Sequence, residues 1–166
     1  MTAKDDLPFS KANQFKQLRL AGDKPRRKTI ENRLDKLWSK VVRSIWAKKI
    51  GIGKCAVLGC QMLGNNPHHI IRKSKGKGLR WAPENGIVLC AGHHTLNTPS
   101  AHNPPLDDLK WFERVLLCYY TPSDLQRLAV KGYSTCKFSI NDLLLLERDL
   151  EWVKGEKGEM KETIIT

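Results

Sequence analysis

Residues 55–94, CAVLGCQMLGNNPHHIIRKSKGKGLRWAPENGIVLCAGHH, constrain this chain more than any other stretch. Two metal-type spacings bracket it, Cys55-x4-Cys60 at the start and Cys90-x2-His93 at the end. Between them lie a histidine pair, His68-His69, and Asn85 followed by an apolar run to Leu89. His94 comes directly after the second knuckle. Zinc binds thiolate and imidazole tetrahedrally, and ligands about two to four residues apart reach one ion. The spacing therefore predicts a structural Zn2+ site of Cys55, Cys60, Cys90 and His93. A second cluster of imidazoles and an amide remains beside it.

The chain has five cysteines, an odd number. Its first residues, MTAKDDLPFSK, carry acids and no apolar run, so no secretory signal is expected and the expected location is cytoplasmic. In that setting metal binding is favoured over a disulfide framework. Cys118 and Cys136 fall in segments that read as apolar helix or connector, and are expected to be buried thiols rather than ligands. No run approaches the ~18 apolar residues of a membrane span, so no membrane association is expected.

Charge is unevenly spread. The formal net charge is +12 over 166 residues. Residues 1–54 hold 15 bases against 5 acids, and residues 55–80 hold 5 bases and no acid. The remaining 86 residues hold 9 bases against 12 acids. Positive charge thus surrounds the candidate metal stretch, and a polyanion is the natural partner because neutralised phosphates release counterions.

Taken in order, residues 1–28 read as a mobile basic arm, with Pro8, Gly22, Pro25 and the run Lys24 to Lys28. From 29 to 54 an amphipathic helix leads into the core, with Ile30, Leu34, Leu37, Val41 and Ile45 on one stripe and Gly51 and Gly53 at its end. Trp38 and Trp46 sit beside that stripe as packing residues. Asn65, Asn66 and Pro67 suggest a turn, His68 to Ile71 a short strand, Arg72 to Arg80 a basic loop and Gly86 to Leu89 a second strand. A helix is expected from about Ala91, another over Asp107 to Tyr119, and a third from Pro122 to Gly132 with Thr121 as its cap. Ser139 should cap a last helix striped by Leu143, Leu146, Leu150 and Val153, which either packs into the domain or dimerises. Residues 55–105 would form the core and 106–166 a helical C-terminal extension. No internal repeat is present.

The ordered set of paired Cys, His-His-Ile, Arg-Trp-x-Pro-Glu-Asn-Gly and Leu-Cys-x-x-His-His resembles the HNH, or ββα-metal, endonuclease family, above all its small phage-type members with zinc knuckles. The likeness is close over residues 55–94 and looser over about 29–112. It implies an α+β fold, a zinc-stabilised ββα-metal core flanked by N-terminal and C-terminal helices. It also implies metal-dependent hydrolysis of DNA phosphodiesters to 3′-hydroxyl and 5′-phosphate ends. A zinc-stabilised DNA-binding or accessory module without cleavage is the alternative.

Carried over residue by residue, the resemblance implies that His69 is the general base and that Asn85 braces the loop holding it. His68 and His94 would hold the catalytic divalent ion, Mg2+ or Mn2+, with Ni2+ or Zn2+ as alternatives. On a regular strand His68 and His69 would point to opposite faces, so the resemblance implies a bulge at the pair. His93 stands where relatives usually carry Cys. Arg72, Lys73, Lys75, Lys77 and Arg80 are the candidate phosphate contacts. His102 reads as a loop histidine, with an extra ligand or a phosphate contact as alternatives. DNA is the expected partner, within a larger phage or recombination complex on the family analogy.

Overall fold

A computed structural model describes residues 26–134 and 136–159. The basic arm expected over residues 1–28 falls outside the described residues up to position 25. The architecture is α+β, helices around one small antiparallel sheet.

The first helix, α1, runs Arg27–Ile50 and buries Ile30, Leu34, Trp38, Val41, Val42 and Trp46. The tryptophans are the centre of this face rather than its margin. Both indoles are satisfied in the interior, Trp38 Nε1 donating to the Ala82 carbonyl at 2.9 Å and Trp46 Nε1 to the Gly86 carbonyl at 2.8 Å. The helix stops at Gly51, whose φ of 104° is a left-handed value that suits glycine.

Strand β1 (Gly64–His69) pairs antiparallel with β2 (Gly86–Cys90). The register sets His68 opposite Ile87 and His69 opposite Gly86. Here the structure differs from the sequence reading. Asn65, Asn66 and Pro67 lie within the strand rather than in a turn, and Ile70 and Ile71 follow it. The pairing partner decides this, because β2 is buried along its whole length and Pro67 faces Val88 in the ladder. The register shift falls between Gly64 and Asn66, so the bulge is not at the histidine pair. Gly86 must be glycine for a packing reason, since a Cβ there would come within 2.5 Å of Val42 on α1.

After β2 the expected helix is a single π turn, Gly92–Leu96, closed by the Asn97 amide on the Gly92 carbonyl at 3.0 Å. The helix expected over Asp107 to Tyr119 is shorter: α2 spans Trp111–Leu117. Its N-terminal part forms turns instead, with the Asp108 amide on the Pro105 carbonyl and the Trp111 amide on the Asp108 carbonyl. Helix α3 (Pro122–Tyr133) starts as its sequence signals, with Thr121 and Asp124 in a capping box. Helix α4 (Ile140–Glu159) begins with the Asp142 amide on the Ser139 hydroxyl.

The α4 stripe packs into the domain: Leu143 and Leu150 join one core with Ile30, Leu34, Ile87 and Leu89. Arg33 of α1 and Glu147 of α4 pair across its edge at 2.6 Å. Cys118 is exposed, not buried, and Cys136 is half-buried. Among the described residues no helix is long and apolar enough to cross a membrane.

Candidate metal centres and the histidine between them

Cys55, Cys60, Cys90 and His93 converge, their ligand atoms all within 4.8 Å of one another. The Cys60 and Cys90 sulfurs are 3.9 Å apart, and His93 Nδ1 lies 3.6 Å from the Cys55 sulfur and 3.3 Å from that of Cys90. Bonds of about 2.3 Å to sulfur and 2.0–2.1 Å to nitrogen at tetrahedral angles separate two sulfurs by about 3.8 Å, and a sulfur from a nitrogen by about 3.5 Å. The site fits a zinc-sized ion and can hold a metal such as zinc.

Local folding explains the fit. A tight turn joins Cys55 to Cys60, with the Cys60 amide on the Val57 carbonyl at 3.1 Å. The Ala56 amide adds that turn to the edge of β2 through the Val88 carbonyl, at 2.9 Å. Two main-chain N–H groups point at sulfur, Cys90 to Cys55 at 3.3 Å and His93 to Cys90 at 3.4 Å. Burial nonetheless pushes the Cys55 thiol up to about 12. A cation is therefore what would keep that sulfur a thiolate at neutral pH.

The second cluster is all imidazole. His68 from the end of β1, His94 from the π turn and His102 from the following loop bring their ring nitrogens within 4.8 Å of one another. The three rings meet edge to face, with centroids 4.8 to 5.3 Å apart. His68 is buried, and burial followed by the neighbouring His102 and His94 pulls its pKa down to about 3. Burial and His102 lower that of His94 as well. Both rings are neutral at pH 7, with lone pairs free for a cation.

His102 is the member that the sequence reading left in a surface loop. Its sequence signal is weak, because a single histidine in Ser-Ala-His-Asn-Pro-Pro has no partner at metal-ligand spacing. Its position comes from main-chain bonds: the Ala101 amide donates to the His93 carbonyl at 2.8 Å, and the Ser100 and Asn103 amides close the loop on each other.

Helix α2 stands over both clusters. Trp111 stacks near His93, with centroids 5.9 Å apart, and Phe112 meets the His68 ring edge to face at 5.3 Å.

His69 does not join either group. The ladder is regular across the pair, so the two side chains leave opposite faces of β1. The His69 ring stacks on Trp38, centroids 3.8 Å apart, and its Nε2 lies 2.7 Å from the Arg80 carbonyl oxygen. A carbonyl only accepts, so Nε2 carries the proton and Nδ1 is left with its lone pair. Burial lowers the His69 pKa, and the bond to the carbonyl opposes that shift.

The loop presenting this carbonyl is held twice. Asn85, fully buried, accepts from the Ile71 amide at 2.7 Å and donates to the Ile71 and Leu79 carbonyls at 3.0 and 3.2 Å. Asp35 of α1 accepts from Arg80 Nε and Nη2 at 3.1 and 2.8 Å, from Trp81 Nε1 at 2.8 Å and from Lys73 Nζ at 3.3 Å. Glu31 adds a second carboxylate to Arg80 at 3.2 Å. Burial pushes the Asp35 carboxyl up, yet the Arg80 and Trp81 hydrogen bonds and the Lys73 charge outweigh it and hold it below the usual range.

This network involves two of the candidate phosphate contacts. Arg80 is bound to Asp35 and Glu31 and stacked on Trp81, and Lys73 is paired with Asp35. α1 places these two acids beside the loop, so both bases have carboxylate partners of their own. Arg72, Lys73, Lys75 and Lys77 are exposed on it.

Searches against models of protein families, curated proteins and solved structures gave no match to this chain.

Proposed function

We propose that the chain is a metal-dependent endonuclease of the HNH type, hydrolysing DNA phosphodiester bonds to 3′-hydroxyl and 5′-phosphate ends. The observation that carries this reading is the state of His69. One nitrogen is committed to the Arg80 carbonyl and the other is left as a proton acceptor, in the residue next along β1 to His68 of the imidazole cluster.

Phosphodiester hydrolysis needs a base for the attacking water and stabilisation of charge on the phosphorane and the departing oxygen. His69 Nδ1 takes the water proton, and the carbonyl bond at Nε2 stabilises the imidazolium that results. Asn85 keeps that loop in one conformation by tying Ile71 to Leu79. His68, His94 and His102 would hold a divalent ion, which supplies the charge stabilisation. Cys55, Cys60, Cys90 and His93 would hold a structural ion that fixes the π turn. Arg72, Lys75 and Lys77 supply phosphate contacts, in keeping with the net charge of +12.

A second reading, a zinc-stabilised DNA-binding or accessory module without cleavage, draws support from one observation. His69 lies on the opposite face of β1 from the cluster and stacks fully on Trp38, as a packing histidine would.

Nicking of supercoiled plasmid separates the two. The nuclease reading expects nicking with Mn2+, Ni2+ or Zn2+, none with EDTA, and a loss of about 10² to 10⁴-fold in His69→Ala, the range for removal of a general base. Tight, salt-dependent DNA binding with no nicking in any metal would establish the binding module instead.

A further inference from the structure

The second cluster differs in kind from a site for a hard cation. It holds three imidazoles, and no Asp or Glu of the described residues joins the group. Mg2+ demands oxygen ligands in near-ideal octahedral geometry and is usually held through one or two carboxylates. Neutral imidazole suits Zn2+, Ni2+, Co2+ and Cu2+. Three protein ligands with a remaining open position is also the arrangement of catalytic rather than structural zinc.

The placement of His102 makes it part of the site rather than a passer-by. Ser100 is fully buried, and its hydroxyl accepts from the Asn103 amide at 3.0 Å. Asn103 Nδ2 donates to the Thr98 hydroxyl at 2.6 Å, and the Ala101 amide is fastened to the carbonyl of His93, the residue before His94. The loop is thus closed on itself around His102, between Thr98, Ser100 and Asn103, and fastened through Ala101 to the turn that carries the second ligand. Burial is graded across the three: His68 is buried under Phe112, His94 is half-buried and His102 is exposed. The cluster is therefore open to solvent on the His102 side, where water and a phosphate oxygen would have access.

We infer that His102 is the third protein ligand of a three-imidazole site with His68 and His94, and that this site selects a borderline divalent transition metal over Mg2+. The inference deepens the nuclease reading above by naming the class of ion that serves it.

Calorimetric titration of the full chain, loaded beforehand with one equivalent of Zn2+, tests it. Wild type should take up one further equivalent of Zn2+ or Ni2+, with Mg2+ binding at least about a hundredfold more weakly. His102→Ala should weaken that second step by about tenfold or more and leave the first equivalent in place, as loss of one of three ligands requires. His102→Asp should narrow the gap between Mg2+ and Zn2+, since it introduces an oxygen ligand. The side chain is exposed, and unchanged circular dichroism confirms that each variant is folded.

Three results overturn the inference: no second equivalent in wild type, a second step unchanged in His102→Ala, or Mg2+ bound as tightly as Zn2+. Plasmid nicking measured on the same samples keeps it apart from the nuclease reading. A second equivalent that depends on His102, with no nicking in any metal, upholds the metal site and sinks the nuclease. Nicking in Mg2+ with metal affinity indifferent to His102 sinks this inference and leaves the nuclease standing.

Discussion

Replacing Asn85 with alanine should cost the fold about 3–5 kcal/mol, a large part of the 5–15 kcal/mol typical of a domain. The figure follows from three hydrogen bonds to main-chain groups, one of them buried and two partly so. Asn85 is fully buried, and Leu79, one of its two acceptor residues, is buried as well. A typical hydrogen bond contributes about 1 kcal/mol net, and a buried polar group left without a partner costs about 1–3 kcal/mol. The Leu79 carbonyl bears the full penalty. The Ile71 amide and carbonyl bear less, because Ile71 is half-buried and water can reach part of it.

Asn85→Asp sharpens the test. It keeps an acceptor for the Ile71 amide but turns the donor to Ile71 and Leu79 into a second acceptor inside the protein. Its carboxyl would have a raised pKa in the fold, so the folded state prefers it protonated, and the loss of stability should shrink as pH falls through that raised value. Urea unfolding with saturating Zn2+, run from pH 5 to 8 on wild type and both variants, measures each term. A loss under about 1 kcal/mol for Asn85→Ala would refute the claim that Asn85 holds the loop.

Two further outcomes rest on the same loop. Asp35→Asn should lose about 1–3 kcal/mol at pH 7, since it removes the charge that Arg80 and Lys73 share. Asp35 has its folded pKa below the ordinary value, so its contribution is present above about pH 4 and fades as pH falls through the depressed value. The gap between wild type and variant in urea titrations should close below about pH 4, and a gap that persists there would refute the carboxylate's role. Wild-type nicking should decline on the acid side of about pH 6.5, because burial holds the His69 pKa below the usual imidazole value and only the neutral ring accepts a proton. Rate against pH checks this, and a rate that rises into acid would exclude His69 as the base.

What the sequence revealed and what it hid divide along one line, the separation in the chain of the groups that meet. The site of Cys55, Cys60, Cys90 and His93 was legible because each half is a local spacing. The start of α3 was legible because Thr121, Pro122 and Asp124 do all their work within one turn. Asn65 to Pro67 read as a turn from composition, and only the buried partner strand makes them extended. Arg80 read as a free base because its two acids lie 45 and 49 residues upstream on α1. His102 was left in a surface loop for the same reason: the bond placing it runs from Ala101 to the main chain of His93, which no residue pattern encodes.

The two ligand clusters share a peptide bond, and that sharing would set an order of dependence between their metals. His93 belongs to the cysteine site and His94 to the imidazole cluster, and the single π turn Gly92–Leu96 turns their side chains to different sides. The same turn accepts the Ala101 amide that positions His102. Trp111 and Phe112, also adjacent, cover one site each. With the first ion absent, the Cys55 turn is left to the Ala56 amide on the Val88 carbonyl and the Cys90 amide on the Cys55 sulfur, His93 loses the bond that fixes its turn, and the geometry of His94 and His102 loosens with it. Structural zinc contributes on the order of 10 kcal/mol to small folds, comparable to the whole net stability of about 5–15 kcal/mol typical of a domain. Cys90→Ser should therefore lose both equivalents of metal and its native circular dichroism. His94→Ala should keep one equivalent and stay folded, because it removes a half-buried ring from a site the core does not depend on. Metal content by mass spectrometry under native conditions, paired with circular dichroism, reads both variants. A folded Cys90→Ser protein that still binds metal at the imidazole cluster would separate the two centres and refute the shared turn as their link.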